Sequence, residues 1–219
     1  MKNNQQAPSQ TIFKLLEEMY PDAHCELNFS NPFQLLIATI LSAQATDRKV
    51  NQITERLFQQ YTTPQKLLRL TQEELEQSIK EIGLYHNKAK NILATCRILV
   101  EKHQGDVPRN FEELTELPGV GRKTANVVLS NAFGIPALAV DTHVLRVSNR
   151  LGLATGKNPD LVEDQLKSLI SRKKWSLAHH LLIWHGRRMC HAKRPECLLC
   201  PLQPFCSEAQ SKASSAPHQ

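Results

Sequence analysis

Residues 117–125 place a lysine directly after a glycine-bracketed turn, a combination that could serve both phosphate binding and amine chemistry. Pro118 ends any preceding helix, because proline lacks an N–H and its ring clashes with the turn before it. A second helix starts at once, so its unbonded N–H groups and positive dipole end face the turn. We expect the turn to bind one phosphate through Gly119, Val120, Gly121 and Arg122. Lys123 is then either a further phosphate contact or a nucleophile.

Four cysteines near the end of the chain have the spacing of a metal centre. Cys190, Cys197, Cys200 and Cys206 are separated by six, two and five residues. Soft thiolates this close together indicate zinc or an iron–sulfur cluster. Zinc sites usually contain two Cys-x-x-Cys pairs, and only one is present here, whereas iron–sulfur clusters accept uneven spacing. The spacing therefore favours iron–sulfur and leaves zinc open.

The loop between the first two cysteines, residues 191–196, carries the cations Lys193 and Arg194. A loop held at both ends by a metal centre would present these cations rigidly, which favours a second phosphate contact. Glu196 adds a negative charge to the same loop and weakens that attraction.

Charge and composition indicate an intracellular protein with an anionic partner. The 219 residues include 27 Lys and Arg against 21 Asp and Glu, a net charge of +6, and 41% are hydrophobic. No acidic residue occurs between Asp164 and Glu196. Such a segment attracts a polyanion, although a solvated basic face gives the same pattern.

Residues 1–10 contain no signal peptide and residues 32–43 are too short to span a bilayer, so we expect neither secretion, disulfides nor membrane association.

Hydrophobic residues recur at helical spacing along nearly the whole chain, which predicts an all-α fold. Capping signals predict helix starts at three places: Asn31-Pro32, Thr71 with Glu74, and Asn158-Pro159. Glycines predict helix ends at Gly83 and Gly134.

The C-terminal half contains one apolar segment, residues 135–140, which we interpret as a loop rather than a strand. Asp141 follows it and is predicted to cap a helix. Residues 175–188 are predicted to form the last long helix. The polar ends, residues 1–8 and 207–219, are expected to be disordered.

Several motifs now stand in one order along the chain. The hairpin at 117–125 is followed by Val140-Asp141-Thr142-His143 and by the four-cysteine spacing, and residues 41–47 and 82–85 precede it. Together these motifs resemble the endonuclease III family of helix-hairpin-helix DNA glycosylases. The resemblance extends over nearly the whole chain and implies that the metal is a [4Fe-4S] cluster.

The resemblance implies a two-lobed, all-α helix-hairpin-helix DNA glycosylase fold. One lobe would be a six-helix barrel over residues 24–134. The other would be a discontinuous helical domain of residues 9–23 and 135–206, which carries the cysteine cluster.

The resemblance also implies a base-excision repair enzyme that removes oxidised pyrimidines from duplex DNA. As an AP lyase it would then cleave the strand at the abasic site by β-elimination. Lys123 would attack C1′ of the sugar through a Schiff base, and Asp141 would assist it. Gln44 and Leu84 match residues that fill the gap left by an extruded base. The expected enzyme is a cytoplasmic, nucleoid-associated monomer whose partner is double-stranded DNA with damaged pyrimidines or abasic sites.

Two other functions remain as alternatives. A related monofunctional glycosylase for mispaired adenine is disfavoured because Lys123 would have no role there. A non-catalytic DNA-binding module with a metal-stapled tail would keep the hairpin and the basic segment, but would need neither Lys123 nor Asp141.

Overall fold

The computed structural model describes residues 3–209, and this part of the chain is all-α, without a strand. The predicted fold class is therefore confirmed. Its helices are α1 Asn3–Met19, α2 Pro32–Ser42, α3 Asp47–Leu57, α4 Pro64–Leu67, α5 Gln72–Ile79, α6 Tyr85–His103, α7 Phe111–Thr115, α8 Arg122–Phe133, α9 Thr142–Arg150, α10 Pro159–Leu169 and α11 Trp175–Arg188. None of these helices in residues 3–209 is both long and apolar enough to cross a membrane.

The helices begin where the sequence supplies a side-chain acceptor for a free N–H group. Asn31 caps α2 by accepting from the N–H of Gln34 at 2.9 Å, and Pro32 follows at the first helical position. Thr71 and Glu74 form the predicted capping box of α5. The predicted starts of α2, α5 and α10 and the bounds of α11 are thus confirmed.

Helix ends were harder to predict. α8 ends as expected at Gly134, which has a φ of 64°. α5 ends at Ile79, not at the predicted Gly83, and the chain continues in a turn whose Ile82 is still buried. Ile82 continues the apolar pattern beyond the end of the helix, and the sequence therefore predicted an end that was too late.

The disorder of residues 1–8 and 207–219 stays a prediction, and the structure describes the chain from Asn3 to Ala209. α1 starts at Asn3, because extending a helix from the nucleus formed by its apolar stripe adds one hydrogen bond per residue. At the other end, Ser207 donates its hydroxyl to the carbonyl of Arg150 at 3.0 Å, and Ala209 is buried in the core. The remaining residues of both predicted segments lie outside residues 3–209.

The chain divides into two compact units, Cys25–Ile135 and Met1–His24 with Pro136–Gln219. We call them the central unit and the terminal unit. Their internal boundaries differ by one residue from the predicted lobes, 24–134 and 9–23 with 135–206.

Each unit has its own apolar core. In the central unit α2 packs against α8, α3 and α6. Its fully buried side chains include Leu35, Leu36, Leu41, Ile53, Leu75, Ile92 and Val128. In the terminal unit α11 packs against α9 and α1. The core there includes Ile12, Leu16, Val144, Val147, Leu166, Leu181 and Leu182.

Candidate active site

The glycine turn between α7 and α8 forms the predicted helical hairpin. Asn110 caps α7 by accepting from the N–H of Glu113 at 2.8 Å. α6 fixes the position of the turn, because the hydroxyl of Thr95 donates to the carbonyl of Pro118 at 2.9 Å. Val120 is buried and anchors the turn in the central unit. The backbone after it is therefore held at the surface in a fixed conformation.

Gly119 is required for this turn on two grounds. Its φ of 79° lies in the left-handed region that side chains disfavour. A Cβ atom at this position would also lie 3.1 Å from the side-chain nitrogen of Asn91. Gly121 serves as the N-cap of α8 without any side-chain hydrogen bond. The N–H groups of the first turn of α8 thus donate to no side chain of the N-cap residue, which suits them to bind an anion.

Lys123 lies in that first turn and is exposed. Arg122 beside it is also exposed, and its guanidinium lies 5.6 Å from the ring centre of Phe111. The structure thus brings the predicted phosphate-binding residues and the candidate nucleophile together on one helix terminus of the central unit.

Gln44 and Leu84 share an unusual backbone conformation in the central unit. Their φ angles are 56° and 61°, in the left-handed region. This conformation costs a residue with a side chain about 1–2 kcal/mol. Both side chains are exposed, Leu84 by 55%. Strained residues that present their side chains outward are typical of functional sites.

Asp141 is the N-cap of α9, as predicted. Its Oδ1 accepts from the N–H groups of His143 and Val144, each at 2.8 Å. The preceding segment, residues 137–140, is a buried loop, also as predicted. His179 of α11 supports this loop through a hydrogen bond to the carbonyl of Ala139 at 2.8 Å. The carboxylate is therefore fixed in position by the terminal unit.

Sequence reasoning missed Arg146, which joins α9 to the first cysteine. Its guanidinium donates to the carbonyl of Gly186 at 2.8 Å and to that of Cys190 at 3.0 Å. It also lies 3.2 Å from Nδ1 of His143, two residues after Asp141. Burial lowers the pKa of His143. No local pattern distinguishes Arg146 from an exposed arginine, because its partners lie on α11, at Cys190 and on the preceding turn of α9.

The four cysteines are free thiols and line one cavity of the terminal unit. Arg150 was also missed, and its guanidinium lies 3.4 Å from Cys190 Sγ and donates to the carbonyl of His191 at 2.7 Å. Nε2 of His185 lies 3.8 Å from Cys200 Sγ. N–H groups directed at sulfur, with a cation beside them, fit a group held by thiolates.

His185 has a hydrogen-bonding group at each ring nitrogen. Burial raises the pKa of Tyr20 to about 12, so its hydroxyl is protonated at pH 7, and it lies 3.1 Å from His185 Nδ1. Burial lowers the pKa of His185 to about 4, so the ring is neutral at pH 7. In the tautomer that suits a Cys200 thiolate, Nδ1 accepts from Tyr20 and the proton is on Nε2, which faces Cys200.

Burial also raises the pKa of Cys200 and Cys206, and the neighbouring cysteines raise it further. These thiols must lose protons to bind a metal. In residues 3–209, no three His, Cys, Asp or Glu side chains are grouped as ligands of a single metal ion.

The loop from 191 to 196 is exposed at Lys193 and Arg194, as the phosphate-contact prediction requires. Arg194 has a φ of 52°, so it joins the residues with strained backbone. Glu196 lies 3.5 Å from Nε2 of His191 within the same loop. Its charge is thus directed partly toward that histidine.

The basic segment after Asp164 is not a uniform cationic face. Lys167 pairs with Glu163 at 2.5 Å, and Lys174 pairs with Glu17 at 2.7 Å. Arg188 stacks over Trp184, 3.6 Å from the ring centre. Part of the positive charge is therefore used within the terminal unit, and the choice between a polyanion site and a solvated basic face stays a matter of prediction.

Comparison with known proteins defines the class. The sequence model of the "HhH-GPD superfamily base excision DNA repair protein" matches residues 37–172. Endonuclease III of Rickettsia conorii is 52% identical over 195 residues, which are 89% of this chain and 93% of the relative. The chain therefore belongs to the endonuclease III family.

Two solved structures agree with this assignment. A non-covalent endonuclease III–DNA complex matches with a TM-score of 0.93 and 49% identity, over 96% of this chain and 99% of the other. A trapped endonuclease III–DNA covalent intermediate matches with a TM-score of 0.90 and 50% identity, over 94% and 98%.

Proposed function

We propose that this protein is a bifunctional base-excision repair enzyme that removes oxidised pyrimidines from duplex DNA and then acts as an AP lyase. The observation that carries the proposal is the position of Lys123, exposed in the first turn of α8 directly after the glycine turn. A backbone anion site at this turn would hold a DNA phosphate beside the amine. The likeness to a trapped endonuclease III–DNA covalent intermediate supports a covalent nucleophile, and we assign that role to Lys123.

The reaction begins with extrusion of the damaged nucleotide from the stack. Gln44 and Leu84 fill the gap that it leaves. Neutral Lys123 Nζ then attacks C1′, and a C1′–N bond to the lysine forms as the bond to the base breaks. The base leaves with the bonding electron pair and is protonated.

Strand cleavage follows from the same covalent bond. The sugar ring opens to give an imine between Lys123 and C1′, which acidifies the proton on C2′. Loss of this proton expels the 3′ phosphate by β-elimination, and water then releases Lys123. Asp141 accepts the proton of the attacking amine and stabilises positive charge on the sugar, and its N-cap hydrogen bonds hold it in place.

We also propose that Cys190, Cys197, Cys200 and Cys206 hold a [4Fe-4S] cluster. Four thiols around one cavity, with N–H groups of Arg150 and His185 near their sulfurs, fit such a group. Bound to these cysteines, a cluster would fix both ends of the loop 191–196, so that Lys193 and Arg194 could contact a phosphate. A yellow-brown protein with visible absorbance and about four irons per chain is expected. A colourless protein with bound zinc would contradict this part of the proposal.

The partner that we propose is double-stranded DNA with damaged pyrimidines or abasic sites. A monomer in the cytoplasm, associated with the nucleoid, fits this role. Each unit carries part of the machinery in one copy of the chain.

Borohydride trapping tests the function, because only an imine is reduced onto the enzyme. We expect wild type to become covalently attached to a duplex with an oxidised pyrimidine, and Lys123→Ala to lose both trapping and strand cleavage. Lys90→Ala, an exposed lysine of α6, is the matched control and should trap like wild type. Circular dichroism verifies that each variant is folded.

The outcomes separate the alternatives. A Lys123→Ala protein that cleaves as fast as wild type would refute the proposed nucleophile. Binding of lesion DNA by wild type without base release or trapping would leave only the DNA-binding module. Release of adenine from a mispair, without strand cleavage, would indicate the monofunctional glycosylase.

A further inference from the structure

One face of α6 contacts each of the elements that the central unit presents to DNA in the proposed function. Leu84, Lys88, Asn91 and Thr95 follow one another at spacings of four, three and four residues, so they share this face. Leu84 starts the helix with its strained, exposed side chain. Thr95 and Asn91 contact the glycine turn at Pro118 and Gly119. Lys88 lies between these two ends.

Lys88 is a buried lysine with partners on a different helix. Lys88 is only 5% exposed. Its Nζ donates to the carbonyl of Leu41 at 2.8 Å and to that of Ala43 at 2.6 Å. Burial lowers the pKa of this amine. Burying a lysine costs free energy unless its amine is hydrogen-bonded. The two carbonyl partners supply these hydrogen bonds, which indicates that the position of the amine has a role.

The two carbonyls belong to the C-terminal end of α2, directly before Gln44. The last carbonyls of a helix lack intrahelical partners, and a cation there also complements the helix dipole. Helices commonly end with glycine in the left-handed conformation that Gln44 adopts here. Gln44 thus places a side chain in a backbone conformation that glycine usually adopts. Lys88 stabilises the carbonyls directly before it.

The same residue is linked to the second strained position. The backbone N–H of Lys88 donates to the carbonyl of Leu84 at 3.0 Å, in the first turn of α6. Lys88 therefore bonds through its side chain to the turn that carries Gln44, and through its backbone to the turn that carries Leu84.

We infer that Lys88 is a positioning residue that holds the turns of Gln44 and Leu84 in register, so that both side chains enter the DNA stack when a nucleotide is extruded. The inference rests on the proposed function and adds a residue that acts through the two gap-filling side chains. A Lys88 that only stabilised the fold would support every reaction of the enzyme equally. If Lys88 is a positioning residue, its loss slows the reaction on a duplex, where a base must be extruded. The loss has much less effect on a substrate without a base stack.

Two substrates distinguish these roles. The first is a duplex with an oxidised pyrimidine, on which single-turnover base release requires extrusion. The second is a single-stranded oligonucleotide with a preformed abasic site, on which borohydride trapping requires the imine alone. Lys88→Met keeps the length of the side chain but removes its donors, and Lys88→Arg keeps the charge and the donors. Lys90→Met, an exposed change on the same helix, is the matched control for lost charge.

For Lys88→Met we expect duplex base release to fall about 10- to 100-fold, the range that follows from misplacing reacting groups by about 1 Å. Trapping on the single strand should stay at the wild-type level. Lys88→Arg should recover part of the duplex activity, and Lys90→Met should match wild type on both substrates.

Wild-type duplex release by Lys88→Met would overturn the inference, and so would an equal loss on both substrates. If Lys88→Met does not fold, Lys88→Gln takes the same assays, because its amide keeps a donor on a shorter side chain. Failure of wild type itself to release a base or to be trapped would overturn the proposed function instead. The two failures are therefore distinguishable.

Discussion

Lys123 and Asp141 are positioned in contrasting ways in the two units. Lys123 stands exposed on a helix whose glycine N-cap offers no side-chain acceptor, so the surrounding N–H groups can serve a ligand. Asp141 is itself the N-cap of its helix and accepts two N–H groups. At the hairpin we propose that the backbone binds an anion from outside, whereas at α9 the protein itself supplies the anion. The contrast shows how one element, a helix N-terminus, can either bind an anionic ligand or fix a carboxylate.

Asp141→Asn is expected to have the largest effect, because it separates the two roles of this side chain. Asparagine caps helices about as well as aspartate, so we expect the melting temperature to change little. Base release should fall by about 10²–10⁴-fold, the contribution typical of a positioned acid or base. Single-turnover kinetics beside thermal unfolding would measure both. Asp141→Ala is the companion variant, and it should also lose about 1 kcal/mol of stability with the cap. An Asp141→Asn enzyme with wild-type kinetics would show that the carboxylate serves only as a cap.

Gly119→Ala tests the hairpin side of the comparison. The positive φ disfavours alanine by about 1–2 kcal/mol, and its Cβ would crowd Asn91. We expect that loss of stability together with DNA affinity about tenfold weaker, equivalent to one lost hydrogen bond to a charged group. Gly134→Ala has a similar φ of 64° but nothing within 4 Å of the new Cβ atom. It should lose stability without losing affinity, and equal affinities of the two variants would argue against a phosphate at the turn.

The smallest expected effect concerns how the stability of the terminal unit changes as pH falls. Burial, and then the charges of His179, His24 and Arg187, lower the pKa of His180 on α11 to about 3. The unfolded chain therefore binds one more proton than the folded chain between about pH 6.5 and 3. Stability from this group is complete above that range and is lost as pH falls through it.

The measurement is urea unfolding at pH 7 and pH 5. Wild type should lose about 1–2 kcal/mol more than His180→Gln between these values, because glutamine does not titrate. The difference between the proteins removes the contribution of the other titrating groups. Parallel losses in both proteins would show that His180 does not take up the proton.

Much of this architecture follows from local sequence signals. Caps such as Asn31 and Asp141 specify helix starts because the acceptor and the N–H groups lie within three residues of each other. The hairpin was predictable for the same reason, since Pro118 and the two glycines act on their own backbone. The cysteine set was readable because its members lie close together in sequence.

The residues that were missed act over long distances in sequence. Lys88 bonds to carbonyls 45 and 47 residues away, and Arg146 bonds to a carbonyl 44 residues away. A lysine at position 88 fits an exposed position of an amphipathic helix equally well. Its burial depends on the packing of α6 against α2, which no local pattern specifies.

The interrupted terminal unit has a consequence for synthesis. Tyr20 and His185 are hydrogen-bonded although 165 residues separate them, so α1 emerges from the ribosome long before its partner exists. Meanwhile the central unit is complete once Ile135 has emerged and can fold by itself, as domains made first commonly do. The apolar stripe of α1 must stay unburied until α11 is translated, and the cysteines come later still. Folding of this chain is therefore expected to proceed from the middle outward, and the cysteine loop is made after both units have most of their helices.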